Sequence, residues 1–271
     1  MTDVFTTTDG SIRLVRQDAL QFLRSLPSGE ADLCLFSPPY NQRRDTKSYG
    51  YRARRRDDAW LRKWRRDGYV DDMPEGKYQA WIRAIVAECL RVAAMTVINH
   101  KVRGADRFSI HPVTMLHPFR RHFWREVVWD RMGSVSMNSR GHATSHELFL
   151  AYRSGRSHWN QREARRMTVW QIRDDADDVW QLSAERTTDH VCAWPVEIPL
   201  RFVRAYSPRG GLVVDPFAGR GTTAWACLRT ERRFIGSELM PETFRRACKL
   251  TQAEWERNEP EIERRQLELV A

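Results

Sequence analysis

Paired cysteines are missing from this chain. Its 271 residues hold five cysteines, Cys34, Cys89, Cys192, Cys227 and Cys248, which are scattered, odd in number and without a Cys-x-x-Cys pair. A disulfide framework and a zinc ribbon are therefore both excluded as organising devices. Three of the thiols lie in apolar stretches and read as core residues. His111 and His117 have no acids or cysteines at ligand spacing, so no metal is expected. Also absent are an apolar N-terminal leader and an apolar run long enough to span a bilayer, and the expectation is a soluble cytoplasmic protein. Acid is in short supply: 35 Asp and Glu face 45 Lys and Arg, a formal net charge of +10. Such a surface favours a polyanionic partner, and nucleic acid is the commonest. The alternative is an arginine-rich composition with no partner behind it.

Two stretches carry the chemistry. In the first, Leu212, Val213 and Val214 read as a buried strand that stops at Asp215-Pro216, because proline cannot continue a central ladder. Gly219 and Gly221 then allow a sharp turn and a close ligand approach, and Thr222 and Thr223 open a helix. A strand, a glycine turn and a helix N-terminus suit an anionic group of a nucleotide-like ligand. No Gly-Lys-Ser/Thr follows, which excludes a phosphate loop. A lone Gly-x-Gly is equally compatible with an ordinary strand-to-helix turn. In the second stretch, the strand Leu33–Phe36 ends in Ser37-Pro38-Pro39-Tyr40-Asn41. An exposed polyproline ligand would want a disordered flank, whereas here an apolar strand runs straight into the motif.

Together the two stretches resemble the DNA amino-methyltransferases, in which an (Asp/Asn/Ser)-Pro-Pro-(Tyr/Phe) motif is catalytic and an Asp-Pro-Phe-x-Gly-x-Gly-Thr motif holds S-adenosylmethionine. The catalytic motif comes first, the order of the β class. The resemblance covers most of the chain and implies a single α/β domain over 1–271. The implied fold is a Rossmann-like methyltransferase with permuted motif order and a mostly parallel twisted sheet with an antiparallel closing strand. It implies catalytic roles for Ser37, Pro38, Pro39 and Tyr40. It implies cofactor contacts from Asp215, Pro216, Phe217, Gly219, Gly221, Thr222 and Thr223, and from Glu238 at the end of the strand Phe234–Glu238, whose acid is placed to accept from ribose hydroxyls. Asp18 matches an acidic position near the adenine, although Gln17 stands where glycine is usual; it is equally well placed to cap the helix Ala19–Leu26. Trp194 and Pro195 match the start of the helix lining the cofactor pocket, whereas Arg220 stands where serine is common. The implied partners are double-stranded DNA, a second copy in a homodimer and a cognate restriction endonuclease acting separately.

Further stretches suit a DNA enzyme. Residues 42–66 carry eleven basic residues against three acids, interleaved with Tyr49, Tyr51, Trp60 and Trp64. Directly after the catalytic turn, a loop over 42–75 is expected to grip phosphate through Arg43, Arg44, Lys47, Arg52, Arg54, Arg55 and Arg56; the plain reading is a solvated charged face. A small target-recognition region is expected over 153–189, with Arg162, Arg165 and Arg166 meeting base edges or phosphate. Apolar spacing predicts a helix over 78–92, and strands over 12–15, 94–99, 123–129 and 146–152. Serine at the first catalytic position is more usual for cytosine N4 than for adenine N6, and cytosine N4 is the expected target. The alternatives are an adenine-N6 DNA methyltransferase of the same family and, further off, an RNA methyltransferase or an inactive DNA-binding module.

Overall fold

A computed structural model describes residues 3–41, 73–104, 109–131, 146–155, 157–160, 179–181 and 194–270. In chain order these form β1 (Val4–Thr6), β2 (Ile12–Val15), α1 (Ala19–Ser25), β3 (Ala31–Phe36), α2 (Glu75–Val92) and β4 (Ala93–His100). A short ribbon of β5 (Arg103–Gly104) and β6 (Ser109–Ile110) follows, then α3 (Pro112–Met115), β7 (Phe123–Asp130) and β8 (His146–Arg153). Last come β9 (Val179–Gln181), α4 (Glu197–Tyr206), β10 (Leu212–Asp215), α5 (Thr222–Arg229), β11 (Arg233–Ser237) and α6 (Pro241–Val270).

The main sheet runs β1-β2-β11-β10-β3-β4-β8-β7-β9. Its five inner strands, β2, β11, β10, β3 and β4, are parallel neighbours. Strand β8 lies antiparallel to both β4 and β7, and β9 joins β7 in parallel. The antiparallel share exceeds the one closing strand expected, because β1 also pairs with β2 in antiparallel fashion. β1 and β9 are three residues each, too short for a hydrophobic period to register.

The parallel strands are mostly apolar because helices cover both faces. Along β3 the side chains alternate. Leu33 and Leu35 pack with Ile198, Phe202, Ala226 and Ala247 from α4, α5 and α6, whereas Cys34 and Phe36 pack with Phe22, Leu23, Ile82 and Val86 from α1 and α2. Cys34, Cys89 and Cys227 are buried free thiols, as their apolar surroundings predict. Each of the larger fully buried side chains contributes about 1.5–3 kcal/mol.

This layering creates a crevice. The crossover from β10 through α5 to β11 moves one way along the sheet, and that from β3 through α2 to β4 moves the other way. Crossovers of one hand that diverge must use opposite faces. The divergence falls between β10 and β3, which pair as Val213↔Leu33 and Val214↔Cys34. Asp215 and Ser37 therefore leave neighbouring strands at the same edge of the sheet. A switch point of this kind, outside the carboxyl ends of the strands, is where open α/β sheets bind ligands.

Candidate active site at the carboxyl edge of the sheet

On the β10 side the glycine turn is wired from within. Asp215 is buried; its Oδ1 accepts the Phe217 N–H at 2.9 Å and its Oδ2 accepts the Thr223 hydroxyl at 2.7 Å. Gly219 (φ 54°) and Gly221 (φ 90°) take the left-handed conformation the turn needs. A Cβ on Gly221 would stand 2.7 Å from Thr251 Oγ1, so α6 also closes on this turn. From the end of β11, Glu238 accepts N–H groups of Gly219 at 3.1 Å and Met240 at 2.9 Å. Burial, with the Glu238 charge adding to it, pushes the Asp215 carboxyl up to about 7; burial likewise pushes Glu238 up to about 7. Two adjacent strands thus end in carboxylates that lack sufficient positive charge, an arrangement that favours a cationic ligand.

Around this turn, Phe217 packs on Phe36 and Trp81, with ring centroids 5.8 Å and 5.7 Å away. The Pro216 carbonyl accepts the Ser237 hydroxyl at 2.9 Å. Trp194 stacks on Phe149 and donates its indole N–H to Thr222 Oγ1 at 2.8 Å, tying the approach to α4 to the start of α5. The Pro195 carbonyl accepts the Ile198 N–H at 3.1 Å. Arg220 lies over the Trp225 ring at 5.8 Å. Asp18 caps α1, its Oδ1 accepting from Leu20 at 3.0 Å and Gln21 at 3.1 Å.

On the β3 side the Ser37–Asn41 turn rests on residues for which the motif gives no hint. Ser37 Oγ lies 3.0 Å from the Tyr40 hydroxyl and 3.2 Å from Asn99 Oδ1. The Tyr40 hydroxyl also bonds Asn99 Oδ1, and lies 3.0 Å from Glu147 Oε2. Arg131 reaches the other Glu147 oxygen at 3.1 Å. Asn99 ends the apolar run of β4 and Glu147 is the second residue of β8. A polar residue at such a strand end is the one signal that marks Asn99, and nothing local marks Glu147. The ring of Tyr40 is buried against His100, with centroids 4.8 Å apart.

Behind the turn, Tyr78 donates to the Pro39 carbonyl at 2.7 Å and lies 2.9 Å from His100 Nε2. Burial, helped by Arg103 and Lys101, lowers the His100 pKa to about 3, so this imidazole is neutral at pH 7. Arg103 meets Glu75 with two bonds of 2.8 and 2.9 Å and also donates to the Asn41 carbonyl at 3.3 Å. The Asn41 amide donates to the Met73 carbonyl at 3.0 Å. Residues 41 and 73 are thereby pinned together at the base of the basic segment. Burial alone would raise the Glu75 pKa, but the bonds from Arg103 and Gln79 outweigh it and hold the carboxyl below its usual range. Glu75→Ala would leave a buried guanidinium unpaired, and is expected to cost about 3–5 kcal/mol of unfolding free energy in urea titration.

The structure thus brings together every catalytic and cofactor candidate except Asp18, which stands at the end of β2, beyond β11 from the turn. The candidates Arg43, Arg44, Lys47, Arg52, Arg54, Arg55, Arg56, Arg162, Arg165 and Arg166 lie outside the described residues. Among the described residues no His/Cys/Asp/Glu group could hold a metal, and no helix is long and apolar enough to cross a membrane.

The sequence model of the DNA methylase family, of the N6/N4 methyltransferase type, matches residues 31–249, which span both turns. The type II methyltransferase M.XycI of Xanthomonas campestris pv. cyanopsidis is 26% identical over 268 residues, covering 84% of each chain. Among solved structures, the PvuII DNA methyltransferase, titled cytosine-N4-specific, superposes with a TM-score of 0.64 at 14% identity, covering 93% of each chain. The M1.HpyAVI–SAM complex superposes with a TM-score of 0.53 at 18% identity, covering 88% of this chain and 98% of that one. At such identities the solved structures share the fold.

Proposed function

The chain belongs to the DNA methylase family, and from that premise we propose that it methylates the exocyclic N4 of cytosine in duplex DNA. Its methyl donor is S-adenosylmethionine. The observation that carries the reading is the juxtaposition, at one switch point, of the Asp215–Thr223 turn with the Ser37–Tyr40 turn. The carboxylates fit the donor's charge: S-adenosylmethionine carries an ammonium and a sulfonium, and Asp215 and Glu238 lie where positive charge is wanted. Asp215 holds the amino group, the start of α5 at Thr222 and Thr223 favours the carboxylate, and Glu238 accepts from ribose. Phe217 and Trp194 wall the site.

When bound, the cofactor supplies an activated methyl on a good leaving group, so the protein's task is position and charge. An exocyclic amine is a weak nucleophile because its lone pair is drawn into the ring. It also sits inside the duplex, so the nucleotide must flip out to reach this edge. Ser37 Oγ accepts one amino hydrogen and the Pro38 carbonyl the other, aiming the nitrogen lone pair at the methyl group. Pro39 stiffens the turn through its carbonyl bond to Tyr78, and Tyr40 walls the base. The arginines of the 42–75 loop grip the phosphates, and Arg162, Arg165 and Arg166 of the 153–189 region meet base edges. Serine at position 37 supports cytosine N4 over adenine N6. The type II name of the Xanthomonas relative supports pairing with a separate restriction endonuclease, and a homodimer is the assembly the family resemblance suggests.

Tritiated methyl transfer tests the substrate class. With labelled S-adenosylmethionine and mixed-sequence duplex DNA, RNA or protein, label is expected in DNA; label in RNA alone would overturn the reading. Affinity for the cofactor should also depend on pH. Below pH 7 a proton competes with the cationic ligand at Asp215, so binding weakens as pH falls. A single carboxyl at about 7 predicts a Kd about eightfold weaker at pH 6 than at pH 7.5 by calorimetry.

A further inference from the structure

Hydrogen-bond direction around Ser37 is set from a distance. The Asn99 amide donates through Nδ2 to the Leu148 carbonyl at 3.2 Å, so its Oδ1 faces the two hydroxyls as an acceptor. A flipped amide would set two carbonyl oxygens against each other. Glu147 in its ionised form can only accept. Ser37 and Tyr40 each have one proton to place, and among the described residues the acceptors bonded to them include Asn99 Oδ1, Glu147 Oε2 and a hydroxyl oxygen.

Tyr40 has one proton for two acceptors, Asn99 Oδ1 and Glu147 Oε2, and the carboxylate paired with Arg131 is the stronger acceptor. With Glu147 taking that proton, the Ser37 proton has two inward sites, Asn99 Oδ1 at 3.2 Å and the Tyr40 oxygen at 3.0 Å. The open side of Ser37 Oγ is then a lone pair. It accepts from an amino N–H and offers no proton to a ring nitrogen. We infer that Glu147, through Tyr40, is the positioning residue that makes Ser37 an acceptor toward the target amine. The inference rests on the methyltransferase reading above and deepens it.

Arg131 makes the claim testable. It donates to one Glu147 oxygen at 3.1 Å, so the oxygen of a glutamine at 147 would stay with Arg131 and its NH2 would turn to Tyr40. Tyr40 would then accept from 147 and send its own proton to Asn99 Oδ1. Both inward sites of the Ser37 proton would be contested, leaving that proton free to point outward at the base.

The experiment measures steady-state methylation of duplex DNA by wild type, Glu147→Gln, Glu147→Asp, Tyr40→Phe and the Glu147→Gln/Tyr40→Phe double variant, with cofactor affinity by calorimetry as a check on the fold. The expected result for Glu147→Gln is a kcat lower by about 10- to 100-fold with KM for DNA and cofactor Kd within about twofold. Aspartate should recover part of kcat, and the double variant should be no slower than Tyr40→Phe alone, since both changes cut one chain. Additive losses, or an unchanged kcat in Glu147→Gln, overturn the inference while wild-type methylation upholds the functional reading. Lost cofactor affinity in Glu147→Gln would make the residue structural and also overturn it. A wild type that binds cofactor and methylates no DNA overturns the functional reading and this inference with it.

Discussion

Asp215→Asn is expected to weaken S-adenosylmethionine binding by about 30- to 700-fold, the equivalent of about 2–4 kcal/mol for one charged partner of a buried pair. The change keeps the shape of the side chain. Its oxygen can still accept from the Phe217 N–H, and Thr223 can reverse its hydroxyl to accept from the new amide. What disappears is the negative charge proposed to hold the cofactor's ammonium. The same charge costs the ligand-free protein, because burial and Glu238 already push this carboxyl up to about 7. The melting temperature without cofactor should therefore hold or rise at pH 8. Calorimetry and a thermal melt on one sample separate the two effects. Weakened binding together with an equal loss of stability would make Asp215 a structural residue.

Ser37→Ala is expected to lower kcat by about 100- to 1,000-fold, the range for losing one preorganised hydrogen-bonding group at a reacting centre. Cofactor affinity should not change, because Ser37 Oγ bonds Tyr40 and Asn99 on the β3 side of the crevice. The fold should tolerate the substitution, as Tyr40 keeps its bonds to Asn99 and Glu147. A retained kcat would remove Ser37 from the reaction and, with it, the ground for choosing cytosine.

How much of this was legible in the sequence depends on the range of the interaction. The strands at Ile12–Val15 and Leu33–Phe36, and the helix opened by Thr222, follow from local apolar runs and glycine turns. Those turns name Asp215, Gly221 and Ser37 directly. Capping is local too: the Asp18 side chain binds N–H groups two and three residues on, as its position before Ala19 suggests. The supporting groups come from far along the chain. Tyr40 meets Asn99 and Glu147 only because β4 lies between β3 and β8. Arg103 meets Glu75 because β4, parallel to β3, returns the chain to the edge from which α2 starts. No spacing rule predicts pairings that the sheet order creates. The basic run of 42–66 is conspicuous as composition, whereas its anchor, Asn41 joined to Met73 under Arg103, is a matter of three-dimensional closure.

The most direct test of the account identifies the methylated base. Purified protein is incubated with S-adenosylmethionine and unmodified mixed-sequence duplex DNA, which is then digested to nucleosides and analysed by mass spectrometry. N4-methylcytosine, lost in Ser37→Ala, is the predicted result. N6-methyladenine would contradict the assignment of the target base from Ser37, and no methylated nucleoside despite measurable cofactor binding would contradict DNA methylation itself.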